Sequence, residues 1–378
     1  MGVSVLFVNH VSAVSGAERT LRDLIRHLPS DVHPIVACPG LWDEPLPRML
    51  VEAGIERIDG PAWRPHRLPA WQAAADFLSS AHAVRMLKQT VQAVKPDVVH
   101  ANSFPAAVLM SMSGLRVPWL WQARDVHIGR RFIVPVAGRC PRIVAISQTV
   151  ADFVTRTAPR GARRMQVIFN GLDIDGVRAA ARTNESLRDQ LRLPPSTPLV
   201  GVAAQLVPWK RLDVFLRAIP GLLDTGAHFV ILGSDLFGEH GRLANDLEQL
   251  ASSLNITKRL HWLGYLDHAE PILSQLDVYF HTATDEPLGR VLLEAMALGI
   301  PCVAANRAGP AEIFRHRETG LLYEAGDPLA AGQAVRTLLE DVPLRSQLAS
   351  AAQEDIAARF TAERMSTEFS TLYRSMLA

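Results

Sequence analysis

The stretch DEPLGRVLLEAMALGIPC, residues 285–302, places Glu286 and Glu294 eight residues apart and runs from an acidic turn through a helical pattern toward an apolar strand. Eight residues turn an α-helix through about 800°, so Glu294 projects from nearly the same face as the helix's leading end. One carboxylate then stands before the helix and the other along it. The N–H groups of Leu288, Gly289 and Arg290 would point outward beside Glu286 and offer an anion such as a diphosphate a partial positive charge. Gly289 lets a ligand come close. The same pattern also reads as an amphipathic helix with an acidic start, packing Leu292, Leu293 and Met296 inward. Strand signals flank it at 277–281 (DVYFH) and 301–305, and such alternation of strand and helix builds an open parallel sheet.

The chain has 378 residues, long enough for two domains with cores of their own, and 48% hydrophobic with 20% charged residues is ordinary for a soluble globular enzyme. Cys38, Cys140 and Cys302 lie far apart in no metal-ligand spacing, which fits reduced thiols. The opening MGVSVLFVNH lacks a basic n-region and a cleavage site, and no apolar run reaches the roughly 18–20 residues of a membrane span. These features predict a cytoplasmic protein. The formal net charge of +1 hides a division: residues 1–170 carry 20 Lys+Arg against 12 Asp+Glu, leaving 19 against 26 for the rest. A basic half suits peripheral contact with the anionic inner face of a membrane or a phosphate-bearing acceptor. Opposite charges equally help two halves close. Nothing points to nucleic acid.

Residues 3–8 form an apolar run, broken only by Ser4 and ending at Asn9 and His10, which suits a strand buried on both faces. The loop VSAVSGAE and a helix over 17–28 follow, the arrangement that receives phosphates in doubly wound folds, although Gly16 alone is far from G-x-G-x-x-G. After a strand at 33–38, residues 40–82 read as a long irregular connection with Trp42, Trp63, Trp71 and the basic Arg64, His66 and Arg67. Strands at 97–101, 118–123 and 142–147 follow, the second ending in ARDVH. Arg124, Asp125 and His127 thus leave the carboxyl end of a strand, where open α/β sheets bind ligands, with an Arg124–Asp125 ion pair as the structural alternative. The MQVIFNGLD segment, 165–173, marks a boundary. Asp173-Ile174-Asp175 matches a metal-binding D-x-D, but its place after an Asn-Gly turn favours a turn and helix cap. A second alternation starts at 199–206, where the loop VPWK brings Lys210 to a strand's end, within reach of a phosphate. Strands at 229–233, 260–264 and 277–281 precede the opening stretch, and helices near 328–340, 343–358 and 361–377 close the chain, the last amphipathic through Met365, Phe369 and Leu372.

E-P-L-G followed by E-A-M-A-L-G-I-P resembles the E-x7-E signature of retaining nucleotide-sugar transferases, in particular glycosyltransferase family 4 with its GT-B fold. SGAE at 15–18 resembles the family's G-G-A-E, with Ser15 replacing the first glycine and leaving less room for a diphosphate or sugar. VIFNGLD is similar to the family's domain crossover. The resemblance implies an α/β fold of two Rossmann-like doubly wound domains facing across a cleft: residues 1–170 on the acceptor side, with a last helix at about 360–378 packing back on them, and residues 171–359 binding the nucleotide sugar. It implies that Glu294 accepts from ribose hydroxyls and Glu286 from donor-sugar hydroxyls. Lys210, Gln205, Gly16 and the amides of Leu288, Gly289 and Arg290 would hold the diphosphate, without a metal or other cofactor. Gln205 stands where the family has an arginine, and Arg124 and Asp125 where it has a histidine contacting the sugar. Main-chain groups of Gly264, Tyr265 and Leu266 would meet the base. The implied activity is retaining transfer from a UDP- or GDP-linked sugar to a polysaccharide, lipid-linked sugar or natural product. The alternatives are a sugar-nucleotide epimerase on the same fold and a non-catalytic binding protein. A nicotinamide-dependent dehydrogenase would require the missing G-x-G-x-x-G.

Overall fold

The computed structural model describes residues 2–63, 73–235, 238 and 241–378, the side chains of 73–78 excepted. The chain forms two compact units, Met1–Gly171 with Ala362–Ala378, and Leu172–Thr361. The first holds seven strands, β1 (Val3–Val8), β2 (Val32–Cys38), β3 (Arg57–Asp59), β4 (Val98–Ala101), β5 (Trp119–Ala123), β6 (Arg142–Ala145) and β7 (Met165–Val167), ordered β3-β2-β1-β4-β5-β6-β7. The second holds six, β8 (Leu199–Ala203), β9 (His228–Leu232), β10 (Leu260–Gly264), β11 (Val278–His281), β12 (Cys302–Ala305) and β13 (Leu321–Tyr323), ordered β10-β9-β8-β11-β12-β13. Every pairing is parallel.

Both sheets are therefore doubly wound, and in each the strand order reverses at one place: between β1 and β4, and between β8 and β11. There the connections leave to opposite faces and a crevice opens beyond the carboxyl ends. Mostly apolar runs make the central strands. All five residues of β5 and of β8 are buried, as burial on both faces of a parallel sheet requires. Val5, Phe7, Leu21, Leu24 and Val36 join one core, and Val200, Phe215, Phe229, Phe280 and Val303 the other.

The last helix, Ala362–Ser375, belongs to the first unit, where Met365, Phe369 and Tyr373 are fully buried and Ser366 Oγ donates to Leu24 O at 2.8 Å. The irregular connection expected over 40–82 is corrected. It contains a helix, Pro45–Glu52, then β3 and the start of a helix over Ala73–Val94. Pro45 suits the first helical position, where its missing N–H has no intrahelical partner to lose. Trp63 is buried and Trp42 is 72% exposed, while Arg64, His66, Arg67 and Trp71 lie outside the described residues. The helix after Lys210 is also shorter than its pattern suggests. It runs Leu212–Ala218 and tightens into a 3-10 turn, Ile219–Thr225, where Pro220 interrupts the hydrogen-bond ladder.

Candidate active site

In the second unit the loops after β8 and β11 lie on either side of the reversal point, and side chains tie them together. Thr282 Oγ1 donates to Lys210 O at 2.8 Å, and Thr284 N donates to Trp209 O at 3.2 Å. The tight turn Pro208–Lys210 is thereby pinned to the end of β11, with Lys210 Nζ 4.3 Å from the centre of the Trp209 ring. From there Lys210 Nζ donates to Glu286 Oε2. Two residues expected to serve a donor's phosphate and sugar thus meet as a largely buried ion pair. Burial pushes the Glu286 carboxyl up, but the Lys210 charge and the neighbouring His281 outweigh it and hold it at about 2. His281 Nε2 lies 3.4 Å from Glu286 Oε2.

The helix after Glu286 spans Arg290–Ala297 and starts from Gly289, whose φ of 108° is a left-handed conformation that side chains rarely adopt. A Cβ there would lie 2.9 Å from Leu292 Cδ1 and 3.3 Å from Glu286 Cγ. Gly289 therefore lets Glu286 fold against the helix start. In its first turn Leu292 N and Leu293 N donate to Gly289 O at 3.0 and 3.4 Å. Glu294 is buried and accepts from Arg290 Nε at 2.8 Å, so the Arg290 side chain reaches back along the helix to the second glutamate. Gly309, which the sequence reading did not single out, completes the turn. Its N–H donates to Glu286 O at 2.9 Å, and a Cβ on it would come within 2.3 Å of Leu288 O.

Gly264 ends β10, two strands from the reversal point, and Tyr265 and Leu266 follow it. The Gly264 carbonyl accepts from Gly233 N at 2.7 Å, and a Cβ on Gly233 would lie 1.8 Å from Ala204 O. Close packing of three strand ends therefore accounts for Gly233 by itself. Gln205 is half-buried just after β8. Asp173 caps the helix Ile174–Ala180, accepting from Gly176 N at 2.9 Å, in keeping with the cap reading of Asp-Ile-Asp. Among the described residues no group of three or more His, Cys, Asp or Glu is arranged to hold a metal ion.

In the first unit Gly16 opens the helix Gly16–Arg26. Ser15 is that helix's cap and forms a reciprocal pair with Glu18: Ala17 N donates to Ser15 Oγ at 3.3 Å and Ser15 N donates to Glu18 Oε2 at 2.9 Å. Ser-x-x-Glu is a recognisable capping-box signal, and it explains the serine at this position. Arg124 is buried at the end of β5, where it donates to Asn102 O (2.9 Å), Asn102 Oδ1 (2.5 Å) and Gln122 Oε1 (2.6 Å). Those amide groups are its partners, so the Arg124–Asp125 ion-pair alternative is corrected; Asp125 and His127 are exposed. Burial brings Arg124 down to about 10, against the pull of Glu18 and Asp125. The chain of contacts runs on through Gln122 to His100, whose other nitrogen meets Tyr373 Oη at 2.7 Å.

Residues 14–175 match the family described as "Glycosyltransferase Family 4", and residues 183–355 the family described as "Glycosyl transferases group 1". The lipopolysaccharide core biosynthesis glycosyltransferase LpsE of Rhizobium meliloti is 29% identical over 188 residues, 50% of this chain and 53% of LpsE. The N-acetyl-alpha-D-glucosaminyl L-malate synthase of Bacillus anthracis is 33% identical over 129 residues, 34% of each chain. The chain thus spans about half or less of the length of these relatives. The crystal structure of HepE from Anabaena, in complex with UDP-glucose, superposes with a TM-score of 0.84 at 25% identity, covering 99% of this chain and 100% of that one. With a glycosyltransferase family matching most of each unit, the chain belongs to the glycosyltransferases of the family 4 type.

Proposed function

We propose that the protein transfers a sugar, with retention of anomeric configuration, from a UDP- or GDP-linked donor to a polysaccharide, lipid-linked sugar or natural product. The observation that carries this reading is the meeting of Lys210 and Glu286 at the reversal point of the second sheet, beside a helix start that continues to Glu294. In this reading the diphosphate takes Lys210 and the N–H groups of Leu288, Gly289 and Arg290 at the helix start, which stabilise the charge on the leaving group without a metal. Glu286 accepts from the sugar hydroxyls and Glu294 from the ribose. The leaving phosphate takes the acceptor's proton in a front-face attack. Arg124 and Asp125, at the ligand end of the first sheet, stand in this reading where the family's histidine contacts the donor sugar. HepE, solved with UDP-glucose, supports a uridine donor.

A thermal-shift series with UDP, GDP, ADP and NAD on wild type and Glu294→Ala tests the donor site. Ligand at a hundred times its Kd stabilises the folded state by about 2.7 kcal/mol. One nucleoside diphosphate should stabilise the wild type and not the variant; stabilisation by NAD alone, or by nothing, rules the reading out.

The acceptor side is proposed to work against an anionic membrane. The helix Arg130–Arg139 exposes Phe132 and Val134 among the exposed Arg130, Arg131 and Arg139, in the basic unit. Apolar side chains set among cations suit an anionic interface. The protein should sediment with phosphatidylglycerol vesicles and less so after Phe132→Ser; equal recovery with phosphatidylcholine vesicles excludes it.

A further inference from the structure

His281 ends β11 and has no part in the donor reading above. It is 2% exposed, its ring stacks near Tyr279 with centroids 6.2 Å apart, and neither of its ring nitrogens has a hydrogen-bond partner among the described residues. Its Nε2 nevertheless lies 3.4 Å from Glu286 Oε2, the same oxygen that Lys210 holds. A buried donor left unmade costs about 1–3 kcal/mol, so a ring kept only for packing would be better replaced by a hydrocarbon. The position is therefore better explained by a second arrangement of the same three groups.

We propose that His281 is a positioning residue for Glu286. When a diphosphate draws Lys210 Nζ toward itself, the Nε2–H of His281 becomes the donor to Glu286 Oε2 and keeps that carboxylate aimed at the donor sugar. No proton is gained or lost: the neutral ring carries the hydrogen on Nε2, and Glu286 stays ionised. Burial, reinforced by the Lys210 charge against the pull of Glu286, keeps the ring neutral. Besides those two charges, Tyr279 on the same strand and Tyr323 on β13, whose hydroxyl lies 3.5 Å from the His281 carbonyl, are the titratable groups around it.

The inference rests on the donor reading, and one set of measurements separates the two. Calorimetry gives the Kd of UDP and of UDP-glucose, or of GDP and GDP-mannose if guanine is the base taken, for wild type, His281→Leu and His281→Gln. His281→Leu should bind the nucleoside diphosphate as the wild type does but lose about tenfold in the ratio of nucleotide-sugar to diphosphate affinity, the size of one hydrogen bond to a charged group. His281→Gln, which keeps a side-chain N–H, should restore most of that ratio. Thermal stability of His281→Leu should be held or raised, since an unsatisfied donor is removed, whereas a purely structural histidine would lower it. An unchanged ratio in His281→Leu, or parallel loss of stability and of both affinities in the two variants, overturns the positioning role while leaving the donor site standing. A wild type that binds no nucleoside diphosphate removes the donor reading and this proposal with it.

Discussion

The carboxyl ends of the two sheets make an instructive pair. Both sheets reverse at the same point in the same strand order, and both bury ionisable groups there. In the first unit the Arg124 guanidinium is solvated by amides, Asn102 and Gln122, and the chain continues through His100 to Tyr373 on the last helix. In the second unit the buried charges face each other directly, Lys210 with Glu286 and Arg290 with Glu294. A cation surrounded by fixed amide oxygens is held by neutral dipoles that have no other charge to offer a ligand. A cation held by one carboxylate can exchange it for a phosphate, because the interaction is strong and the same in kind. The same backbone pattern thus supports a structural knot in one unit and exchangeable charge in the other.

The largest test of this contrast is Lys210→Met. It leaves Glu286 buried without its counter-charge, and urea unfolding at pH 7 should show a loss of about 3 kcal/mol, most of it recovered in the double variant with Glu286→Leu. A loss under about 1 kcal/mol would mean that solvent screens the pair, and the contrast between the two ends would collapse. An effect smaller per pH unit is expected from His100 in acid. Burial, aided by the Arg124 charge, lowers its pKa from 6.5 to about 3. Its neutral form is therefore favoured in the fold, and the associated stability is complete above pH 6.5 and is lost as pH falls toward about 3, where the unfolded chain binds a proton that the native state refuses. His100→Gln should flatten the plot of unfolding free energy against pH in that window by up to about 1.4 kcal/mol per pH unit. A plot that keeps the wild-type slope would show that water reaches His100 and that the knot is not closed.

Much of this was legible in the residues. The apolar runs of β1, β5 and β8 and the helical spacing from Glu286 to Glu294 are local patterns. The capping box at Ser15 and Glu18 is equally local, although it was passed over for a resemblance to a glycine motif. Other features were hidden because they depend on residues far apart in the chain. The helix Pro45–Glu52 lay inside the stretch read as an irregular connection. Gly309 carried no signal of its own, since the constraint on it is the Leu288 backbone from a different loop.

The sequence by itself determined the two parallel sheets, the loops that leave their carboxyl ends and the residue types on those loops, because period and punctuation are properties of neighbouring residues. Only the tertiary structure decided which of those residues meet. Lys210 and Glu286 are 76 positions apart and His100 and Tyr373 are 273 apart. Their pairing, and the placing of His281 against the same carboxylate oxygen, arises from strand order and helix docking, which bring distant loops together in a way that no local pattern records.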